Sequence, residues 1–153
     1  MFSKEELRER KTQFWEGLKK KMQNRKSANG RRANWINYKT GLKFFFVRLD
    51  VNSKRAIFAL DLQPKDEGIK EIFWEQLQEL KVVLEAEMGA GIWDEDVEIK
   101  YGHSVSRIYW ELPDVNMFKE EDTDKIYAFF QEKLIAFDRF YTDYDEILLT
   151  LAQ

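Results

Sequence analysis

The chain has 153 residues, 44% of them apolar, 35% charged and 15% aromatic, with seven Gly, two Pro, no Cys and a net charge of -3. That length predicts a single domain spanning 1–153, with roughly 69% of the unfolded surface removed from water, and the composition excludes disorder and low complexity. The missing cysteine excludes a disulfide framework, a thiolate zinc site, an iron–sulfur cluster held by this chain and a thiol nucleophile.

Ser3 and Glu6 have capping-box spacing, and Leu7, Phe14, Trp15, Leu18 and Met22 follow at helical intervals, predicting a helix over 4–24. NRKSANGR carries turn residues and no period, so a loop is expected there. The next stretch is rich in aromatic and branched residues and predicts a three-strand meander over 34–39, 42–50 and 55–62, turning at Thr40-Gly41 and Asn52-Ser53. Beyond Pro64 the period becomes 3.6, through Ile69, Ile72, Phe73, Gln76, Leu80, Val83, Leu84 and Met88, and Gly89 stops this second helix. Strands are expected at 97–101 and 106–112 around a Gly102-His103-Ser104 turn, with Pro113 ending the second. From Asp122 or Thr123 as cap, Ile126, Phe130, Leu134, Phe137, Tyr141, Tyr144 and Leu148 form the stripe of a long last helix. The order αβββαββα predicts an α+β fold, a mainly antiparallel sheet packed with helices.

Charge is polarised along the chain. Residues 1–55 hold 16 basic and 5 acidic side chains, and the remaining 98 hold 9 basic and 23 acidic ones. The densest piece, Lys19 to Arg32, contains Lys19, Lys20, Lys21, Arg25, Lys26, Arg31 and Arg32 and no acid. Three readings stand open. The cluster answers the negative end of a helix and is otherwise solvated; or it neutralises phosphates of a nucleic acid; or it meets an acidic surface of a protein partner, a second copy giving a homodimer.

Phe14-Trp15, then NWINYKTG from Asn34 to Gly41, then SRIYWEL from Ser106 to Leu112 make a combination that resembles the bacterial family called domain of unknown function 4268. The likeness covers nearly the whole length, as a stand-alone member. In many longer relatives this domain follows a region resembling restriction-type endonucleases, so the resemblance implies DNA-related work; this chain reads as lacking that region.

Endonuclease-like cores place acids on two neighbouring strands, with a lysine near the second, to hold Mg²⁺ and position water. Asp50 and Asp61 are the candidates for such a metal site, but the pair reads Asp61-x-Gln63, with Lys65 beyond Pro64. His103, the single histidine, is expected in a solvated turn. Asp94, Glu95, Asp96 and Glu98 lack the spacing of a Ca²⁺ loop, and Gly89-Ala90-Gly91 lacks the Lys and Ser/Thr of a phosphate loop.

Most of the 23 aromatic side chains are expected in the core. Trp35, Tyr38 and Lys39 beside the basic loop, with Arg48 and Arg107 on the strands, make a candidate aromatic and cationic surface for single-stranded nucleic acid. Arg107 paired with Asp61 or Glu111 is the competing expectation.

The charged N-terminus predicts no signal peptide or lipobox, and no run reaches the ~20 apolar residues of a membrane span, so the expected compartment is the cytoplasm. No cofactor, metal or small-molecule ligand is evident. The expected protein is a non-catalytic binding or assembly module whose basic face meets nucleic acid. A divergent metal-dependent nuclease and a protein-interaction or dimerisation domain are the alternatives.

Overall fold

The computed structural model describes residues 2–153. Helix α1 (Lys4–Met22) starts where the capping box predicts, the Ser3 side chain accepting from the Glu6 amide at 3.2 Å. Its buried face is Phe14, Leu18 and Met22, each contributing about 1.5–3 kcal/mol on leaving water. Strands β1 (Phe45–Val51) and β2 (Arg55–Leu62) follow, joined by a tight turn in which Asn52 Oδ1 accepts from the amides of Lys54 and Arg55. Helices α2 (Glu67–Glu79) and α3 (Lys81–Met88), strands β3 (Ile92–Glu98) and β4 (Ser104–Pro113), and the 32-residue α4 (Glu120–Leu151) complete the chain.

The fold is α+β, and the four strands form one antiparallel sheet in the order β1-β2-β4-β3. One parity of each central strand, Phe58, Leu60 and Leu62 on β2 with Ile108 and Trp110 on β4, joins the helices in a single hydrophobic cluster. Phe137 of α4 sits at its centre, its ring 6.3 Å from those of Phe45 and Phe58 and stacked at 5.2 Å on Tyr141. The opposite parity, Phe46, Arg48 and Asp50 on β1, Ile57, Ala59 and Asp61 on β2, and Arg107, Tyr109 and Glu111 on β4, lies outside that cluster. The total surface, 9931 Å², exceeds the roughly 8,200 Å² expected of a compact chain this size.

Several expected elements are corrected. Residues 34–39 form no strand, because Trp35 and Tyr38 are pulled inward: the Trp35 indole donates to the Arg25 carbonyl at 2.9 Å, and Asn34 Oδ1 turns the chain by accepting from the Asn37 amide. The second helix is two, broken at Leu80, whose φ of -90° and ψ of 3° are not helical. Phe73, Leu77, Leu80, Leu84 and Met88 are all buried at helical spacing across the break, so the pattern carries no sign of it. Finally, the long helix begins at Glu120, leaving Asp122 to accept from the Asn116 amide at 2.9 Å instead of capping. The observed order is therefore αββααββα.

The hairpin between β3 and β4 starts earlier than predicted and turns at Lys100–Gly102, where Tyr101 and Gly102 take φ of 66° and 73°. A glycine meets the second condition at no steric cost. In α1 a different need selects Gly17: a Cβ there would lie 2.3 Å from the Tyr127 hydroxyl oxygen, which donates to the Phe14 carbonyl at 2.6 Å and ties α1 to α4.

Candidate functional site

Lys19, Lys20 and Lys21 occupy the last turn of α1, where positive charge answers the exposed carbonyls. The chain then doubles back as a small loop, with Lys26 and Arg32 bridged and the Ser27 amide donating to the Arg31 carbonyl at 2.9 Å. All seven basic side chains of this segment are exposed, and none of them is in an ion pair among the described residues. Among the described residues their one close aromatic partner is the ring of Tyr127, 5.7 Å from Lys21 Nζ.

A buried carboxylate holds the loop in place. Asp138, 2% exposed on α4, accepts from the Ser27 hydroxyl at 2.6 Å, the Ala28 amide at 2.7 Å and the Tyr38 hydroxyl at 2.6 Å. Three short charge-assisted bonds converge from two ends of one irregular segment, so the segment is tied rather than free. Burial, then the bond and the charge of Asp138, push the Tyr38 hydroxyl pKa far above its ordinary value of 10.0. Tyr141, buried beside it and donating to the Thr40 carbonyl, is raised for the same first reason.

This geometry divides the expected site. Lys19, Lys20, Lys21, Arg25, Lys26, Arg31, Arg32 and Lys39 lie on the surface, but Trp35 is 3% exposed and Tyr38 spends its hydroxyl on Asp138. Trp35 is therefore a core residue with no ring open to a base, and Tyr38 packs half-buried against the core. A groove of ≈ 290 Å³ runs between Lys19 and Arg32, walled by Gln23, Asn34 and Ile36 over buried Met22 and Trp35.

Arg107 lies elsewhere, on the sheet face outside the hydrophobic cluster, in the pairing that was its competing expectation. Its Nε and Nη2 grip both oxygens of Asp61 at 2.7 and 2.9 Å, and Arg48 Nη1 reaches the same carboxylate at 2.8 Å while its Nη2 donates to Gln63. Asp61 is fully buried beneath the two guanidiniums. Hydrogen bonding to Asp61 raises the Arg107 pKa further above its already high value.

Asp50 and Asp61 are not brought together. Asp61 is opposite Phe46 in the register, four residues along β1 from Asp50, and its oxygens are taken by three guanidinium bonds. Among the described residues no group of three or more His, Asp or Glu is arranged to hold a metal ion. His103 is exposed at the hairpin turn, and Gly89 ends α3. Asp94 to Asp96 lie on a bulged stretch of β3, and Glu95 and Asp96 face Glu67, Glu71 and Glu75 of α2 across a groove of ≈ 650 Å³.

Two positioning residues escaped the sequence reading. Asp138 had a legible signal, an acid placed four and eight residues after Leu134 and Phe130 on an apolar stripe. Gln63 had none, since only the register brings it to Arg48.

The family model described as Domain of unknown function (DUF4268) matches residues 10–145. No curated protein and no solved structure matches the chain significantly. Among the described residues no helix is long and apolar enough to cross a membrane.

Proposed function

The chain belongs to the family named Domain of unknown function (DUF4268), and from its exposed basic segment we propose a binding module that holds nucleic acid by its phosphates, without catalysis of its own. One observation carries the reading. A chain with 28 acidic side chains leaves Lys19, Lys20, Lys21, Arg25, Lys26, Arg31 and Arg32 all exposed and all out of ion pairs among the described residues. The segment is also held by Asp138, so ordering it on binding costs little entropy. Lys39 extends the same segment toward β1. With Trp35 buried and Tyr38 half-buried with its hydroxyl on Asp138, the contact is phosphate-led and sequence-independent.

The test is fluorescence anisotropy with labelled single- and double-stranded DNA over a salt series. Binding should weaken linearly on a log–log salt plot, and Arg31→Glu with Arg32→Glu should flatten the duplex slope by about 1.8, near 0.9 per lost phosphate contact. Affinity and slope unchanged in that double variant would overturn the reading.

A further inference from the structure

The sheet has two edges, and they are treated differently. β3 is broken by a bulge between Asp94 and Val97, and it carries Asp94, Glu95, Asp96 and Glu98, all exposed. Bulges and like charges are how a strand edge is kept from pairing with another chain. β1 has neither device: its edge reads Val47-Arg48-Leu49-Asp50-Val51, regular, without Pro or Lys, and neutral in sum.

The backbone of β1 is half used. The Gln63 amide donates to the Phe44 carbonyl at 2.7 Å and the Asn52 amide to the Arg55 carbonyl at 3.0 Å, so the even-numbered residues of this strand turn their polar groups to β2. The odd-numbered residues therefore turn theirs away from the sheet. Phe45 is answered locally, its amide by the Leu42 carbonyl at 3.4 Å and its carbonyl by the Thr40 hydroxyl at 2.7 Å. Beyond it, the amides and carbonyls of Val47, Leu49 and Val51 meet no hydrogen-bond partner among the described residues. A groove of ≈ 560 Å³ touches this strand at Val47 to Asp50, with Ile36, Glu98, Ile99, Lys100 and Arg107 as its other walls.

We propose that β1 pairs antiparallel with β1 of a second copy of this chain about a two-fold axis at Leu49, joining two four-stranded sheets into one. The register follows from the pattern of open groups. Centred on Leu49, it sets Val47 opposite Val51 of the second copy and the reverse. Every open amide and carbonyl of the three residues is then used, in about six hydrogen bonds, two at each opposed pair. The same register sets Arg48 opposite Asp50 of the second copy, twice over by symmetry, on the closely spaced non-hydrogen-bonded positions. Val47, Leu49 and Val51 meet Val51, Leu49 and Val47 on the other face, continuing the apolar side of the sheet. A shift of one residue opposes an open row to a used one, and a shift of two loses both charge pairs and sets Asp50 opposite Asp50 or Arg48 opposite Arg48. Hydrogen bonds, charge and apolar pattern thus select one self-complementary register, as an isologous interface requires.

Sedimentation velocity over a concentration series, with hydrogen exchange of the β1 amides at the same concentrations, tests this. The expected result is a species of twice 18.4 kDa, with the Val47, Leu49 and Val51 amides slowing as it forms. Asp50→Lys, on an exposed side chain, places like charges opposite and should weaken the dimer about tenfold or more, with Asp50→Asn between the two. Circular dichroism of both variants separates loss of pairing from loss of fold. A monomer at the highest concentration reached overturns the proposal, even if an extended peptide binds the same edge. A dimer with unprotected β1 amides overturns it as well, and protection insensitive to Asp50→Lys overturns the register centred on Leu49.

Discussion

Tyr38 donates its hydroxyl proton to Asp138 at 2.6 Å, joining residues 100 positions apart and fastening the segment that carries the basic loop to the longest helix of the protein. Ser27 and Ala28 complete the same node, so one carboxylate of α4 holds both ends of a stretch that forms no helix and no strand of the sheet itself.

Asp138→Ala should cost roughly 3 kcal/mol or more, because it removes three bonds to a charged acceptor and strands a buried Ser27 hydroxyl. Urea unfolding reads the loss. Hydrogen exchange separates a local from a global effect: the Ala28 amide should lose its protection well before the amides of β2. An Ala28 amide as protected as in the parent chain would show that the loop is held by other means.

The two raised tyrosines set an alkaline limit. Burial pushes both hydroxyls well above 10.0, the value each regains on unfolding, so the folded state favours the protonated form. Their contribution is therefore complete below pH 10 and declines as pH rises beyond it, since the unfolded chain then ionises first. Denaturation midpoints should fall steeply above pH 10, and Tyr38→Phe should make that fall shallower while lowering stability at neutral pH. Equal slopes in parent and variant would mean that Tyr38 ionises as freely folded as unfolded.

On the sheet face outside the hydrophobic cluster, Asp61→Ala leaves Arg48 and Arg107 as facing cations with no carboxylate between them. The expected cost is about 3–5 kcal/mol, that of a broken buried pair. Asp61→Asn should fall between, keeping an acceptor but not the charge. Because both Asp61 oxygens are already bonded, millimolar Mg²⁺ should not raise the melting temperature of the parent chain. A specific, saturable rise that Asp61→Asn abolishes would restore this carboxylate as a metal ligand.

Local pattern foretold the elements that local physics dictates. The cap at Ser3 and the stripe through Phe130, Leu134, Phe137 and Tyr141 mark α1 and α4, because a helix repeats its environment every three or four residues. The branched and aromatic runs around Val47 and Phe58 mark β1 and β2, although Asp50 falls within its strand instead of at the end. The same criteria misplaced a strand on Trp35 and Tyr38. Aromatic enrichment there reflects burial against α4, not a pleated backbone, and a short apolar segment does not distinguish the two.

By itself, then, the amino-acid sequence determined an α+β chain with capped amphipathic helices, a polarised charge distribution and no cysteine chemistry, all of them matters of composition or of contacts within a few residues. Tertiary structure alone decided that Asp138 would hold Ser27, Ala28 and Tyr38, that Asp61 would lie beneath Arg48 and Arg107, and that β1 rather than β3 would keep an open regular edge. Each of these depends on partners brought together by strand register or helix packing. A buried charge takes the donors that the fold places within about 3 Å, and nothing in local spacing says which those are.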